Sequence, residues 1–140
     1  MKFTIVGCSA KKHTDSAPAE QFYQGQLFQV AVKYCKTNGR EWNIISAKQG
    51  LVLPHWRIHP YDLKISELTE AERYYLITRV RFALNSRVSF RDTLELLCGR
   101  DYCAVIEEAA AGRWQISRPM QGLGIGYQLQ WLKANAKEAA

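Results

Sequence analysis

Phe3-Thr4-Ile5-Val6-Gly7-Cys8 runs straight into Ser9-Ala10-Lys11-Lys12, and Trp42-Asn43-Ile44-Ile45 runs into Ser46-Ala47-Lys48. Each stretch is a short apolar run with β-branched members, as expected of a strand covered on both faces. Each stops at a Ser-Ala-Lys triplet, and the triplets lie about 37 residues apart, roughly one βαβ unit. In a parallel sheet the carboxyl ends of the strands form the ligand-binding edge. The hydroxyls of Ser9 and Ser46 and the ammonium groups of Lys11, Lys12 and Lys48 are therefore expected on one edge. That grouping suits an anionic ligand with many hydrogen-bonding atoms, such as a nucleotide or a nucleic-acid phosphate.

Outward from these strands, residues 9–20 are polar and carry Pro18, which predicts a loop. Phe22, Leu27, Val30, Ala31 and Tyr34 have helical spacing, which predicts one helix from Ala19 to Lys36, closed by Asn38-Gly39. The second strand covers Trp42–Ala47. Lys48 to Leu68 reads as a long irregular stretch with Pro54, Pro60 and the run Ile58-His59-Pro60-Tyr61-Asp62-Leu63. Such segments inside compact domains are usually functional, and this one can fold over the edge. Thr69-Glu70-Ala71-Glu72 is a capping box opening a helix to about Ser86. Val88–Phe90 fits a short strand or a turn. Thr93–Cys98 reads as a third central strand, and Tyr102–Ala111 as a helix. Residues 113–127 read as irregular, and Tyr127–Ala136 as a last helix packed through Leu129, Trp131 and Leu132. The order predicts one α/β domain over residues 1–140, three layers with a small, mostly parallel sheet flanked by helices. The Ala/Lys-rich tail from Ala134 to Ala140 is expected to fray.

Composition sets the limits. At 140 residues, 47% hydrophobic and 23% charged, the chain can bury a core as one unit. No apolar stretch is long enough to span a bilayer, and the N-terminus enters a strand without a signal-peptide core, which predicts a cytoplasmic protein with no membrane partner. Cys8, Cys35, Cys98 and Cys103 show no CxxC pairing, so they read as reduced thiols rather than zinc ligands. His55 and His59 are four apart, but Pro54 and Pro60 oppose a helix there, and no metal or cofactor is expected. The glycines at 122, 124 and 126 lack the dinucleotide spacing after a strand. A net charge of +6 and a pI near 9.3 favour a polyanionic partner. Nucleic acid, DNA above all, or a nucleotide is expected, with monomer and homodimer both open. Arg73, Arg79, Arg81, Arg87 and Arg91 form the densest basic stretch and fit either phosphate contacts or a solvated helix face.

The segments Val6–Lys12, Phe22-Tyr23 with Leu27-Phe28, Ile45–Leu51, Pro60–Leu63, Cys98-Gly99 with Tyr102, and Pro119 with Gly122–Gly126 resemble a bacterial and phage family of unknown function. That family is distantly similar to YaaA-type peroxide-stress proteins, to the archaeosine synthase domain with its Cys-Ser-x-x-Lys motif, and in fold to uracil-DNA glycosylases. The resemblance implies work on nucleobases or nucleic acid. Two departures stand out. Lys12-His13-Thr14 replaces the archaeosine-synthase continuation, and no helix-hairpin-helix insertion for duplex binding is seen.

An N-glycosidase of that kind passes through an oxocarbenium-like state with negative charge growing on the departing base. It needs a carboxylate near the sugar and donors toward the base. Asp62, in the long loop, is the expected carboxylate; its alternative is a turn aspartate bonding local amides. Lys48 and Ser9 complete the expected catalytic set. Cys8, Lys11, Lys12, Ser46, Gln49, Tyr61, Gly99 and Tyr102 are the expected substrate contacts. Ser9 and Ser46 also suit turn capping, Gly99 suits either an amide facing phosphate or a plain βα turn, and the tyrosines and Trp56 suit either base stacking or core packing. A Ser9–His59–Asp62 triad lacks the GxSxG elbow. Two other readings stay open: a non-catalytic nucleotide or nucleic-acid-binding module, and a base-modifying transferase.

Overall fold

The computed structural model describes residues 1–136. In chain order the elements are β1 (Lys2–Gly7), β2 (Ala17–Pro18), α1 (Ala19–Phe22), α2 (Gln26–Thr37), β3 (Glu41–Ser46), β4 (Gly50–Val52), β5 (Arg57–Ile58), a 3₁₀ turn (Ile65–Glu67), α3 (Glu70–Arg87), β6 (Thr93–Leu97), α4 (Arg100–Ala110), β7 (Gln115–Ser117) and α5 (Ile125–Asn135). Of the tail from Ala134 expected to fray, Ala134 and Asn135 belong to α5, and residues 137–140 lie outside the described residues.

The five-stranded sheet has the order β4-β3-β1-β6-β7 and is parallel except for β4. Side-chain direction alternates along each strand. Phe3 and Ile5 of β1, with Ile45, Leu94 and Leu96, pack against Leu76, Val80 and Leu84 of α3 and Val105 and Ile106 of α4. Val6, Ile44 and Leu97 point the other way, to Phe28, Ala31 and Cys35 of α2 and Leu132 of α5. The result is the three-layer α/β fold expected, with helices covering both faces. Each fully buried Ile, Leu or Phe contributes about 1.5–3 kcal/mol relative to exposure.

Several expectations need correction: residues 9–20 are not all loop, since Ala17–Pro18 form β2, and the last helix starts at Ile125 rather than Tyr127. The predicted Ala19–Lys36 helix is two helices, broken at Tyr23-Gln24-Gly25. A Cβ on Gly25 would stand 2.8 Å from the Cβ of Ser9, so the chain passes there only with glycine. The Lys48–Leu68 stretch is not structureless. It turns back as β4, pairing antiparallel with β3 through Gly50 at φ +77°, and then forms β5 and the 3₁₀ turn. Residues 113–127 include β7, an edge strand three residues long. Finally, α4 begins at Arg100 rather than Tyr102. The capping box stands as read: Thr69 and Glu72 exchange hydrogen bonds of 2.9 and 3.1 Å.

Glu95 sits mid-strand in β6, 1% exposed, on the α2 side. Thr4 and Tyr34 hydroxyls each donate to it at 2.8 Å, Arg40 Nε lies at 3.3 Å and Lys2 Nζ at 3.7 Å. Its charge is thus enclosed by donors and cations, as a buried carboxylate requires.

A candidate nucleotide edge at the carboxyl ends of the strands

The chain leaves β1 toward β3 on one side, and β6 adds on the other. That reversal opens a crevice beyond the carboxyl ends of β1 and β6. A hollow of about 340 Å³ lies there, lined by Cys8, Ser9, Cys98 and Gly99. Loops from both sides close around it. Antiparallel pairing of Ala17-Pro18 with Arg57-Ile58 stitches the loop after β1 to the long loop after β3, and the Lys12–Tyr23 bridge ties it to the break between α1 and α2. Gln24 N–H donates to Lys11 O and His13 N–H to Phe22 O.

Neutral groups pin the edge. Tyr61 hydroxyl lies 2.7 Å from Ser46 Oγ and 2.6 Å from the buried Tyr23 hydroxyl. The Tyr61 ring stacks parallel to Phe22, centroids 6.2 Å apart. Ser46 Oγ also accepts from the amides of Lys48 and Gln49, both at 3.3 Å, which fixes the turn into β4. Tyr102, on the first turns of α4, accepts from Ala47 N–H at 3.1 Å and meets Cys8 Sγ at 3.3 Å. It thereby ties β1, β3 and α4 together. Burial holds the Cys8 thiol and the Tyr23, Tyr61 and Tyr102 phenols above their ordinary values, so all four stay protonated near neutral pH.

The cations stand above this network. Lys12 Nζ is 5.1 Å and Lys48 Nζ 5.7 Å from the Tyr61 ring centroid. Asp62 is exposed and lines two hollows. One, of about 220 Å³, includes Cys8, Ser9, Lys12 and Tyr102. The other, of about 510 Å³, includes Lys48, Tyr61, Glu72, Tyr75 and Arg79.

Of the residues expected from sequence, Cys8, Ser9, Lys12, Ser46, Lys48, Tyr61, Asp62 and Tyr102 come together at this edge. Ser9 Oγ donates to Lys11 O at 2.6 Å and accepts from Gly25 N–H at 3.0 Å, so its hydroxyl is held within its own loop. Lys11 is exposed and contributes its carbonyl to that loop. Gln49 contributes main chain: its amide bonds Ser46 and its carbonyl accepts from Arg79 at 2.7 Å. Gly99 is the N-cap of α4 and faces the β1–β6 crevice rather than the Asp62 hollows. Trp56 lies away from the edge, its ring 5.0 Å from the Arg87 guanidinium. Arg73 pairs with Glu108, and Arg79, Arg81 and Arg87 donate to main-chain carbonyls.

Every segment that builds this edge falls within residues 3–134, and those residues match a family of unknown function, DUF6884. The chain belongs to that family. Across 98% of its length it is similar to the uncharacterized protein YfjM of Bacillus subtilis strain 168, at 30% identity over 147 residues that cover 96% of that protein. No solved structure matches the chain.

The sequence reading missed Tyr23, Glu72 and Tyr75 as parts of the site, and named Arg79 only within a basic stretch that fits either phosphate contacts or a solvated face. The signal for Tyr23 was local: Gln24-Gly25 directly after it marks a break rather than a helix interior. Tyr75 and Arg79 are four apart on α3, a same-face spacing that reads as ordinary helix surface until β4 places the edge beside it.

Proposed function

We propose that the protein is a nucleobase-directed N-glycosidase, acting on a modified base in DNA or a nucleotide. The observation that carries this reading is the place of Asp62, a carboxylate on the wall shared by two hollows, between Lys48 on one side and Lys12 on the other. The resemblance to YaaA-type proteins, to the archaeosine synthase domain and to uracil-DNA-glycosylase folds points in the same direction.

In this reading the C1′–N bond breaks and a water oxygen bonds C1′. Asp62 steadies the positive charge at the sugar and takes a proton from that water, and the departing base takes up a proton from solvent or a donor at the edge. Lys12 and Lys48 hold phosphate or the base's growing negative charge, where a preorganised cation is worth most. Tyr61, Tyr102, Cys8 and Ser46 are neutral and fixed, and serve as the floor. Ser9 acts as a positioning residue for the Lys11-Lys12 loop. Bound substrate would cover Asp62 and strip its solvent screening.

Base release, followed by mass spectrometry on modified-base phage DNA and on matched nucleotides, tests the proposal. Wild-type protein is expected to free a base, and Asp62→Asn to retain binding without release. Retained, salt-sensitive binding with no base freed by either protein would instead favour the non-catalytic binding module.

A further inference from the structure

A separate hollow of about 400 Å³ lies next to the Lys48–Asp62 hollow, and Arg79 lines both. Trp56, Phe82 and Arg87 form its walls. Phe82 is 75% exposed, Tyr75 63% and Trp56 41%. Tyr75 and Phe82 lie seven residues apart on α3, two turns or about 10 Å along one face. Three large aromatic side chains left open to water in one strip mark a contact surface.

Among the described residues neither Arg79 nor Arg87 forms a salt bridge, although Asp62 and Glu72 line the neighbouring hollow with Arg79. Arg79 donates to the carbonyls of Lys48 and Gln49 at 2.8 and 2.7 Å, and its guanidinium lies 5.5 Å from the Tyr75 ring centroid. Arg87 donates to Asn43 Oδ1 at 2.8 Å and Leu51 O at 3.0 Å and lies over Trp56. All four acceptors are neutral. Arg73, Arg118 and Arg40 instead face the carboxylates of Glu108, Glu107 and Glu95, while Arg57, Arg81 and Arg113 also donate to neutral acceptors but stand outside this aromatic strip. The strip therefore offers exposed aromatic rings, those of Trp56 and Tyr75 each with a guanidinium on one face, beside standing positive charge on a chain of net charge +6.

We propose that this strip binds single-stranded nucleic acid, with bases stacked on Phe82, Trp56 and Tyr75 and phosphates drawn to Arg79 and Arg87. The inference rests on the nucleobase reading of the edge and adds that the substrate is a strand leading away over α3. Stacking of this kind tolerates any base, because every base has a π-face, and a duplex hides those faces. A second copy of the chain fits the strip less well, since a two-fold contact sets Arg79 and Arg87 against their own copies.

The test uses the full chain carrying Asp62→Asn, so that turnover does not consume the probe. Fluorescein-labelled oligo-dT, oligo-rU and a dA·dT duplex are titrated by anisotropy at rising salt. Both single strands, or one of them, are expected to bind more tightly than the duplex, with affinity falling as salt rises. Phe82→Ala and Trp56→Ala are each expected to weaken strand binding about 10-fold, the size of a lost stacking contact. Phe82→Ala in the otherwise wild-type chain should leave base release from a free mononucleotide unchanged. Unaltered strand binding by both variants overturns the proposal, as does duplex binding equal to single-strand binding. So does finding, by sedimentation, that Phe82→Ala only dissolves a self-associated dimer. Failure of base release alone counts against the glycosidase reading and leaves these binding results standing.

Discussion

Around Glu95, in the middle of β6, a charged side chain is closed in by two hydroxyls and by the cations of Arg40 and Lys2. At the carboxyl edge of the same sheet the fixed groups are neutral hydroxyls and a thiol, and the charges of Lys12, Lys48 and Asp62 stand at the rim. Among the described residues no buried side-chain nitrogen or oxygen lacks a partner in either place. The difference separates holding from binding. A charge matched inside the fold locks strands and helix together but has nothing left for a ligand. A neutral scaffold fixes the floor of a site and leaves the charges above it available.

The largest expected effect breaks the inner cluster. Arg40→Ala leaves Glu95 with only the half-exposed Lys2 as counter-charge. Removing one partner of a buried pair typically costs about 3–5 kcal/mol, and urea denaturation should show a loss near the lower end. A loss under about 1 kcal/mol would mean the cluster is no tighter than a surface ion pair. Next comes Tyr61→Phe, which deletes the hydroxyl between Ser46 and Tyr23 but keeps the ring. A loss of about 1–2 kcal/mol by the same method is expected, because both former partners lie buried. No loss would show that the edge network is ornamental to stability.

The last comparison is read in alkali. The unfolded chain's tyrosines ionise near the ordinary value of 10.0, whereas burial keeps Tyr102, Tyr23 and Tyr61 protonated above it. In the inner cluster Tyr34 is pushed up to about 12 by burial and by its hydrogen bond to Glu95. The folded state therefore holds more protons above pH 10, and stability falls as pH rises. It is fully present below the unfolded value and is lost toward the raised folded ones. Urea midpoints should be flat to about pH 9 and then decline, by up to about 1.4 kcal/mol per pH unit for each tyrosine. Tyr34→Phe should flatten only part of that decline, since the edge tyrosines remain. A decline that vanishes with Tyr34→Phe would place the whole effect in the inner cluster.

Much of the architecture was legible. The runs Phe3–Cys8, Trp42–Ala47 and Thr93–Cys98 mark the central strands Lys2–Gly7, Glu41–Ser46 and Thr93–Leu97, because apolar runs covered on both faces advertise burial directly. The strand ends marked by Ser46 and Cys8 do meet, since parallel pairing alone brings them to one edge. The short pieces were hidden. β4 and β7 have three residues each, too few for alternation to register. Gly25 looked like one helical residue among many until Ser9 proved to fill the space beside it. Glu95 was passed over inside an apolar run, because its partners Thr4, Tyr34 and Arg40 are scattered along the chain and meet only in the fold.

The short edge strands also govern assembly. β4 is buried throughout, and the Leu51 carbonyl within it is occupied by Arg87. β7 offers a neighbouring strand only three residues of ladder. Long open edges are templates for intermolecular strand addition, the first step toward polymers and amyloid. This sheet presents little to copy on either flank, so crowding many molecules together gives them no ready way to zip edge to edge, and encounters are left to the helices and loops.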